Sequence, residues 1–341
     1  MAVIFMDGFD TYISGDWLKR WTTNGTGNSA VVISPIYANG PGGQGVLITG
    51  GNNPVPTKSF GANYAQGIIG FAFQVTGMAS KVLFTVMDGV TEQCSIRING
   101  SNVLTVNQGA TVKATGSTAL SASTWYYVEF KFTVHGSSGV AQVKLNGSAE
   151  IASTGSLDLT GTANNYWNGI SLGGASGTGP STLQLDDFYV IDPTTGSNTD
   201  FLGPVRCVPL APAGPGNSAS WSANGGTNYG CVSEPYQDGD LSFNQSSTAD
   251  QIDTFVMQDL PASSGSVFAV QTLLTARQDA GAARTIAPVL RPVSTDRIGT
   301  TVALSTSYQI LTEIYDLNPE DSAAWAPADV AGMEVGYKLI S

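Results

Sequence analysis

The sequence predicts an all-β protein made of two antiparallel β-sandwich domains. Three observations carry this. Residues 124–147, TWYYVEFKFTVHGSSGVAQVKLNG, alternate with period two: Tyr126, Val128, Phe130, Phe132 and Val134 form an apolar face, while Trp125, Tyr127, Glu129, Lys131 and Thr133 form the other. Charged residues are only 12% of the chain, glycines number 41, and Ser, Thr and Asn abound, so the exposed Lys, Glu and Arg that support surface helices are scarce. Short apolar runs also recur along the whole chain, separated by Gly, Asn, Ser and Thr, as many short strands with tight turns require.

At 341 residues the chain divides naturally into two domains. The first, residues 1–192, opens on a strand around Val3 to Met6, followed by Asp7-Gly8 and the aromatic anchors Phe9, Tyr12, Trp17 and Trp21. Strand-like runs follow at 30–33, 45–48, 67–75, 81–87, 94–98 and 103–106, and GIIGFAFQV and KVLFTVM are expected to pair. In the 124–147 hairpin His135 begins the reversal, and Asn146-Gly147, a dipeptide that tolerates positive φ, ends the second strand. Runs at 167–172 and 182–191 complete the domain, with MAVIFMDGFD and LQLDDFYVID expected side by side. Residues 193–199 are polar and turn-rich and read as a linker. The second domain, 200–341, has strand candidates at 200–208, 251–258, 267–276, 283–291, 300–304, 308–315 and 333–339, and one helical turn at 326–330 that Pro327 suits.

Charge and motifs exclude several chemistries. Net charge is −12, concentrated in residues 200–341, so a phosphate backbone is repelled and no nucleic-acid partner is expected. No apolar stretch is long enough for a membrane span, and the first residues lack the pattern of a secretion signal. There is no CxxC, GxSxG or Walker A, and His135 is the only histidine and sits in a turn, which argues against zinc sites and catalytic triads. The three cysteines, Cys94, Cys207 and Cys231, argue against a disulfide framework; spacing alone does not say whether Cys207 and Cys231 pair. Glycoside hydrolysis needs two convergent carboxylates, and the adjacent Asp186 and Asp187 point to opposite faces of a strand, so no enzyme is expected and no cofactor beyond a cation.

Two sites stand as candidates. If the chain ends pair, Asp7, Asp10 and Asp187 converge around a hard cation such as Ca²⁺; the alternative is that Asp7 and Asp187 hold backbone N–H groups at turns. Tyr166, Trp167 and Asn168 combine aromatics with amides as glycan sites do, as do Trp221, Asn224 and Asn228; the alternative is core packing. Glu234, Asp238 and Asp240 read as a solvated acidic loop.

The Trp125-x-Tyr-Val strand, its hairpin and the strand ending in Asn-Gly resemble the laminin-G/concanavalin-A-like jelly roll, a fold that implies ligand binding more often than catalysis. The opening IFMDGFDTY with Trp17 and Trp21, the passage from LDDFYVID into DFLGPVR, and the later pairs Asp259-Leu260-Pro261 and Asn318-Pro319 before Trp325 resemble tailed-bacteriophage virion proteins over nearly the full length. That resemblance implies a non-enzymatic structural protein of the virion, tail-associated, with other virion proteins and a host-surface glycan as partners and homo-oligomerisation in the particle. Its alternatives are a capsid decoration or head-fibre protein, and a carbohydrate-active enzyme or free lectin.

Overall fold

The computed structural model describes residues 3–24, 31–34, 43–49, 56–78, 80–173, 182–262, 265–279 and 281–341, with the backbone alone at 31–34 and 49. It is all-β, as the sequence predicts. Two compact units divide between Cys207 and Val208, so the first extends past the polar 193–199 segment through residues 200–207.

The first unit holds β1 (Val3–Asp7), β2 (Val31–Ser34), β3 (Gly45–Thr49), β4 (Thr57–Tyr64), β5 (Gln66–Val75), β6 (Lys81–Asp88), β7 (Thr91–Ile98), β8 (Leu104–Gln108), β9 (Thr111–Thr115), β10 (Tyr126–Thr133), β11 (Gly139–Leu145), β12 (Ser148–Leu157), β13 (Trp167–Leu172) and β14 (Thr182–Ile191). An eight-stranded sheet runs β12-β11-β10-β5-β14-β3-β2, with β1 also on β14; a six-stranded sheet runs β4-β13-β6-β7-β8-β9. The first and last strands pair as expected, Val3 opposite Ile191 and Asp7 opposite Phe188. The 124–147 hairpin pairs Val128 with Leu145 and Thr133 with Val140. Asn146 and Gly147 both adopt positive φ, +50° and +79°, in the tight turn to β12.

The expected pairing of GIIGFAFQV with KVLFTVM is corrected. The first, β5, lies between β10 and β14, while the second, β6, lies between β13 and β7 in the other sheet. The two strands face each other through the core: Phe71 and Phe84 meet edge to face at 5.3 Å. Aromatic packing of this kind adds to area burial. Trp17 and Trp21 stack at 4.8 Å with Phe9 beside them, all buried, so the early aromatics are core anchors.

In the second unit β15 (Pro212–Ala219), β18 (Ile252–Met257), β24 (Glu334–Leu339), β20 (Thr285–Arg291) and β21 (Arg297–Ile298) form one sheet, with β22 (Val302–Ala303) also on β20. The pair β19 (Val270–Ala276) and β23 (Gln309–Tyr315) packs against it, and β16 (Ser222–Ala223) pairs with β17 (Asn244–Gln245). Phe255, Ile286, Leu311 and Tyr337 form one core cluster; Leu290, Trp325, Val330 and Met333 form a second. The helical turn predicted at Pro327 is present as Pro327–Val330. Residues 200–208, expected as a strand of this unit, are not one: 200–207 lie on the outer face of the eight-stranded sheet of the first unit. No helix among the described residues is long and apolar enough to cross a membrane.

Candidate functional site: the outer face of the six-stranded sheet

Alternation along a strand sends neighbouring side chains to opposite faces. In β7 the buried Cys94, Ile96 and Ile98 face the core, which turns Gln93, Ser95 and Arg97 outward. The neighbouring strands repeat the pattern. Thr57, Ser171, Thr85, Ser95 and Asn107 are register partners in succession, a polar row across β4, β13, β6, β7 and β8. Arg97 pairs with Thr105 in the next row, and Thr105 with Thr115.

Arg97 organises the centre. Its Nη2 donates to Glu92 Oε1 and Oε2 at 2.9 and 3.1 Å, and its Nε donates to Ser95 Oγ at 2.8 Å. Ser95 Oγ in turn donates to Glu92 Oε1 at 2.8 Å. The guanidinium thus lies over Ser95, which is why this outward serine is fully buried. Thr105 donates to Asn107 Oδ1 at 2.7 Å. Both partners of the ion pair keep about a quarter of their side-chain surface in solvent, 22% for Arg97 and 27% for Glu92. Ser171, Thr85, Thr105 and Asn107 are buried as well, so at the centre of the row the Arg97–Glu92 pair is what solvent reaches, a fixed cation and a carboxylate that can hydrogen-bond a polyhydroxylated ligand.

Residues 161–166 wall one side of the row, beside Gln93 on β7 and Asp88 at the end of β6. The fully buried Gln93 amide donates to Thr162 Oγ1 and to the Asn164 and Tyr166 carbonyls, and accepts from the Gly161 and Thr162 N–H groups. Asp88 Oδ2 accepts from Thr162 Oγ1 and Asn164 Nδ2. This wall was not anticipated from the sequence; its signal was the polar alternation of Gln93, Ser95 and Arg97 in a strand otherwise apolar.

The opposite sandwich face is closed by the chain itself. Glu129 and Tyr127, on the face of β10 opposite its apolar one, are buried on the side where residues 200–207 lie. Glu129 Oε1 accepts from Tyr189 OH at 2.7 Å and from the Gly203 N–H at 2.8 Å.

The expected cation site is not assembled. Asp7 is turned inward: Oδ1 accepts from the Phe9 N–H, Oδ2 from Tyr12 OH and Trp21 Nε1, and Arg20 Nε lies 3.8 Å away. Asp10 and Asp187 do come within electrostatic range of each other, with Arg206 between their influences. Burial pushes both carboxyls up to about 6, opposed by hydrogen bonds from the Gln44 and Cys207 N–H groups respectively and by Arg206. Among the described residues no group of three or more His, Cys, Asp or Glu is placed to hold a metal ion. Asp7 serves instead as the buried acceptor of its own turn, and Asp187 accepts the Cys207 N–H.

The expected glycan platform is also corrected. Trp167 is fully buried, packs on Phe132, Phe60 and Tyr64, and donates to the Gln66 carbonyl. Asn168 holds the β6–β7 turn by accepting from the Gly89 N–H, and Tyr166 OH accepts from Asn164. Trp221 packs edge to face on Tyr337 at 4.6 Å, while Asn228 donates to Asp253, a fully buried carboxylate. In the acidic loop, Asp240 accepts from Arg277 and Tyr308, and Ser242 donates to Glu234 and Asp238. His135 Nδ1 accepts from the Ser137 and Ser138 N–H groups, an ordinary turn role. Cys94, Cys207 and Cys231 are free thiols, and burial pushes the first two well above the usual thiol range.

No protein-family model matches the chain, and no curated protein matches it. Among solved structures it is similar to an alginate lyase of polysaccharide lyase family 7, at 12% identity and TM-score 0.34 over 47% of this chain and 81% of that one. It is similar to the catalytic domain of a glycoside hydrolase family 131 protein from Coprinopsis cinerea, at 14% identity and TM-score 0.38 over 60% and 97%. It is similar also to Trypanosoma rangeli sialidase, at 12% identity and TM-score 0.34 over 49% and 29%, so the chain spans less than a third of that enzyme. At these values no residue role and no reaction passes to this chain. The expectations of a non-enzymatic bacteriophage virion protein and of a chain that is no enzyme stand against these neighbours. All three neighbours are enzymes of carbohydrate chemistry, and none is a virion protein.

Proposed function

We propose that the first unit is a carbohydrate-active jelly roll that seats a glycan chain on the outer face of its six-stranded sheet. The observation that supports this most is the continuous polar row from Thr57 to Asn107 with the Arg97–Glu92 pair at its centre. Sugar hydroxyls both donate and accept, and the partly exposed Arg97 and Glu92 side chains match them as donor and acceptor. Arg97 is a donor fixed in place by Ser95 and Glu92, so little side-chain freedom is lost on binding. Glu92, 27% exposed beside Arg97, is a carboxylate of this surface that a bound sugar can reach.

The test is titration of the full chain against a panel of neutral and uronic polysaccharides, read by binding and by release of new chain ends. Arg97→Ala is expected to weaken binding about tenfold or more, the loss of one charge-assisted contact. Glu92→Gln is expected to keep most binding while abolishing release. Retained affinity in both Arg97→Ala and Asn107→Ala removes this surface from consideration; binding without release in the unaltered chain reduces the reading to a lectin.

A further inference from the structure

Residues 200–207 cross the outer face of the eight-stranded sheet, held by two carboxylates of that sheet. Glu129 on β10 accepts the Gly203 N–H at 2.8 Å, and Asp187 on β14 accepts the Cys207 N–H at 2.7 Å. Gly203 has φ +81°, a conformation that glycine adopts without penalty, and this presents its N–H to Glu129.

Both clamps are incompletely satisfied. Glu129 is 0% exposed and Asp187 3%, yet Glu129 Oε2 and Asp187 Oδ2 are buried and have no hydrogen-bond partner among the described residues. A buried acceptor left unpaired by the protein is costly. Beyond these clamps the Cys207 thiol is buried and reaches the Phe188 carbonyl at 3.8 Å, while the other attachments are weaker. Arg206 Nε lies 3.9 Å from Asp187 Oδ2 with Arg206 40% exposed, and Lys131 reaches Asp200 at 3.1 Å with Asp200 74% exposed. Lys144 sits over the Phe201 ring at 4.7 Å, and the Leu202 N–H reaches Tyr189 OH at 3.5 Å. Exposed pairs of this kind contribute little. The sheet beneath is different: β5 is paired to β10 without interruption from Phe73–Tyr126 to Gln66–Thr133.

We infer that residues 200–207 form a latch that opens as a unit while the sandwich beneath stays folded, hydrating Glu129 and Asp187 and uncovering Tyr127, Glu129 and Tyr189. Local opening of this sort belongs to segments with few buried contacts and peripheral hydrogen bonds. The polar residues 193–199 supply the slack on its amino-terminal side.

Native-state hydrogen exchange on the full chain tests this. The Gly203 and Cys207 amides are expected to be protected, to exchange at least tenfold faster than the amides of β5 and β10, and to show almost no dependence on denaturant. Arg206→Ala, which removes the 3.9 Å ion pair to Asp187 and leaves both backbone clamps in place, is expected to speed those two amides several-fold and leave β5 and β10 unchanged. Exchange of Gly203 and Cys207 at the rate and denaturant slope of β10 overturns the inference, because the segment then leaves only with global unfolding. Exchange at the rate of an unstructured peptide overturns it as well, because the segment then does not dock.

Discussion

The Tyr189 hydroxyl donates to Glu129 at 2.7 Å across the width of β5, and Gly70 is the residue that lets it pass. Gly70 is the register partner of both. A Cβ on Gly70 would stand 2.2 Å from the Tyr189 ring. Gly70→Ala is therefore expected to destabilise the protein by about 1–3 kcal/mol through overpacking. Urea denaturation at constant slope measures it, and an unchanged midpoint would place the ring elsewhere.

Asp7 ties four groups of the amino-terminal turn to one carboxylate: the Phe9 N–H, Tyr12, Trp21 and the buried Arg20. Lys58, whose ammonium donates to the Arg20 carbonyl, is pushed down to about 8 by burial first and Arg20 second, so this corner already holds two cations. Removing the carboxylate leaves Arg20 buried and unpaired. Asp7→Ala is expected to cost about 3–5 kcal/mol, and calcium is expected to change the melting temperature of neither protein. Loss of calcium-dependent stabilisation in the variant would restore the cation reading.

The pH dependence follows from Asp10 and Asp187. Burial raises both to about 6, so the folded protein holds these two protons more tightly than the unfolded chain does. Their contribution favours the folded state at acid pH and is lost as pH rises from about 4 through about 6. Denaturation midpoints across that interval are expected to decline less with rising pH in Asp187→Asn than in the unaltered chain. Parallel profiles would show that Asp187 ionises like a solvated carboxylate.

Trp167 separates core from ligand platform. Fully buried among Phe132, Phe60 and Tyr64, it is expected to cost about 3–5 kcal/mol on replacement by alanine. Polysaccharide affinity of the folded fraction is expected to remain. A stable variant with lost affinity would return the site to Tyr166, Trp167 and Asn168.

The architecture was legible where local chemistry and periodicity agree. The meeting of Phe5 with Val190, the Asn146-Gly147 turn and the buried face of β10 all follow from alternation and turn residues. Pairing of β5 with β6 was misjudged because sequence adjacency suggests a hairpin, whereas this connection carries the chain from one sheet to the other. The burial of Glu129 and Tyr127 is not legible from alternation, which distinguishes two faces and says nothing of a distant segment lying on one of them. The 200–207 stretch looked like a strand for the same reason: FLGPVRCV is apolar because it covers a sheet, not because it joins one. The polar row escaped notice because it is assembled from single residues on five strands, and only register brings Ser171, Thr85, Ser95 and Asn107 together.

Hydrogen-exchange footprinting of the full chain with a bound polysaccharide tests the central claim most directly. Protection concentrated on Glu92 to Arg97 and Thr105 to Asn107, with the amides around Glu129 and Gly203 unaffected, is the predicted result. Binding that protects the 200–207 side of the sandwich and leaves β7 and β8 unchanged would contradict it.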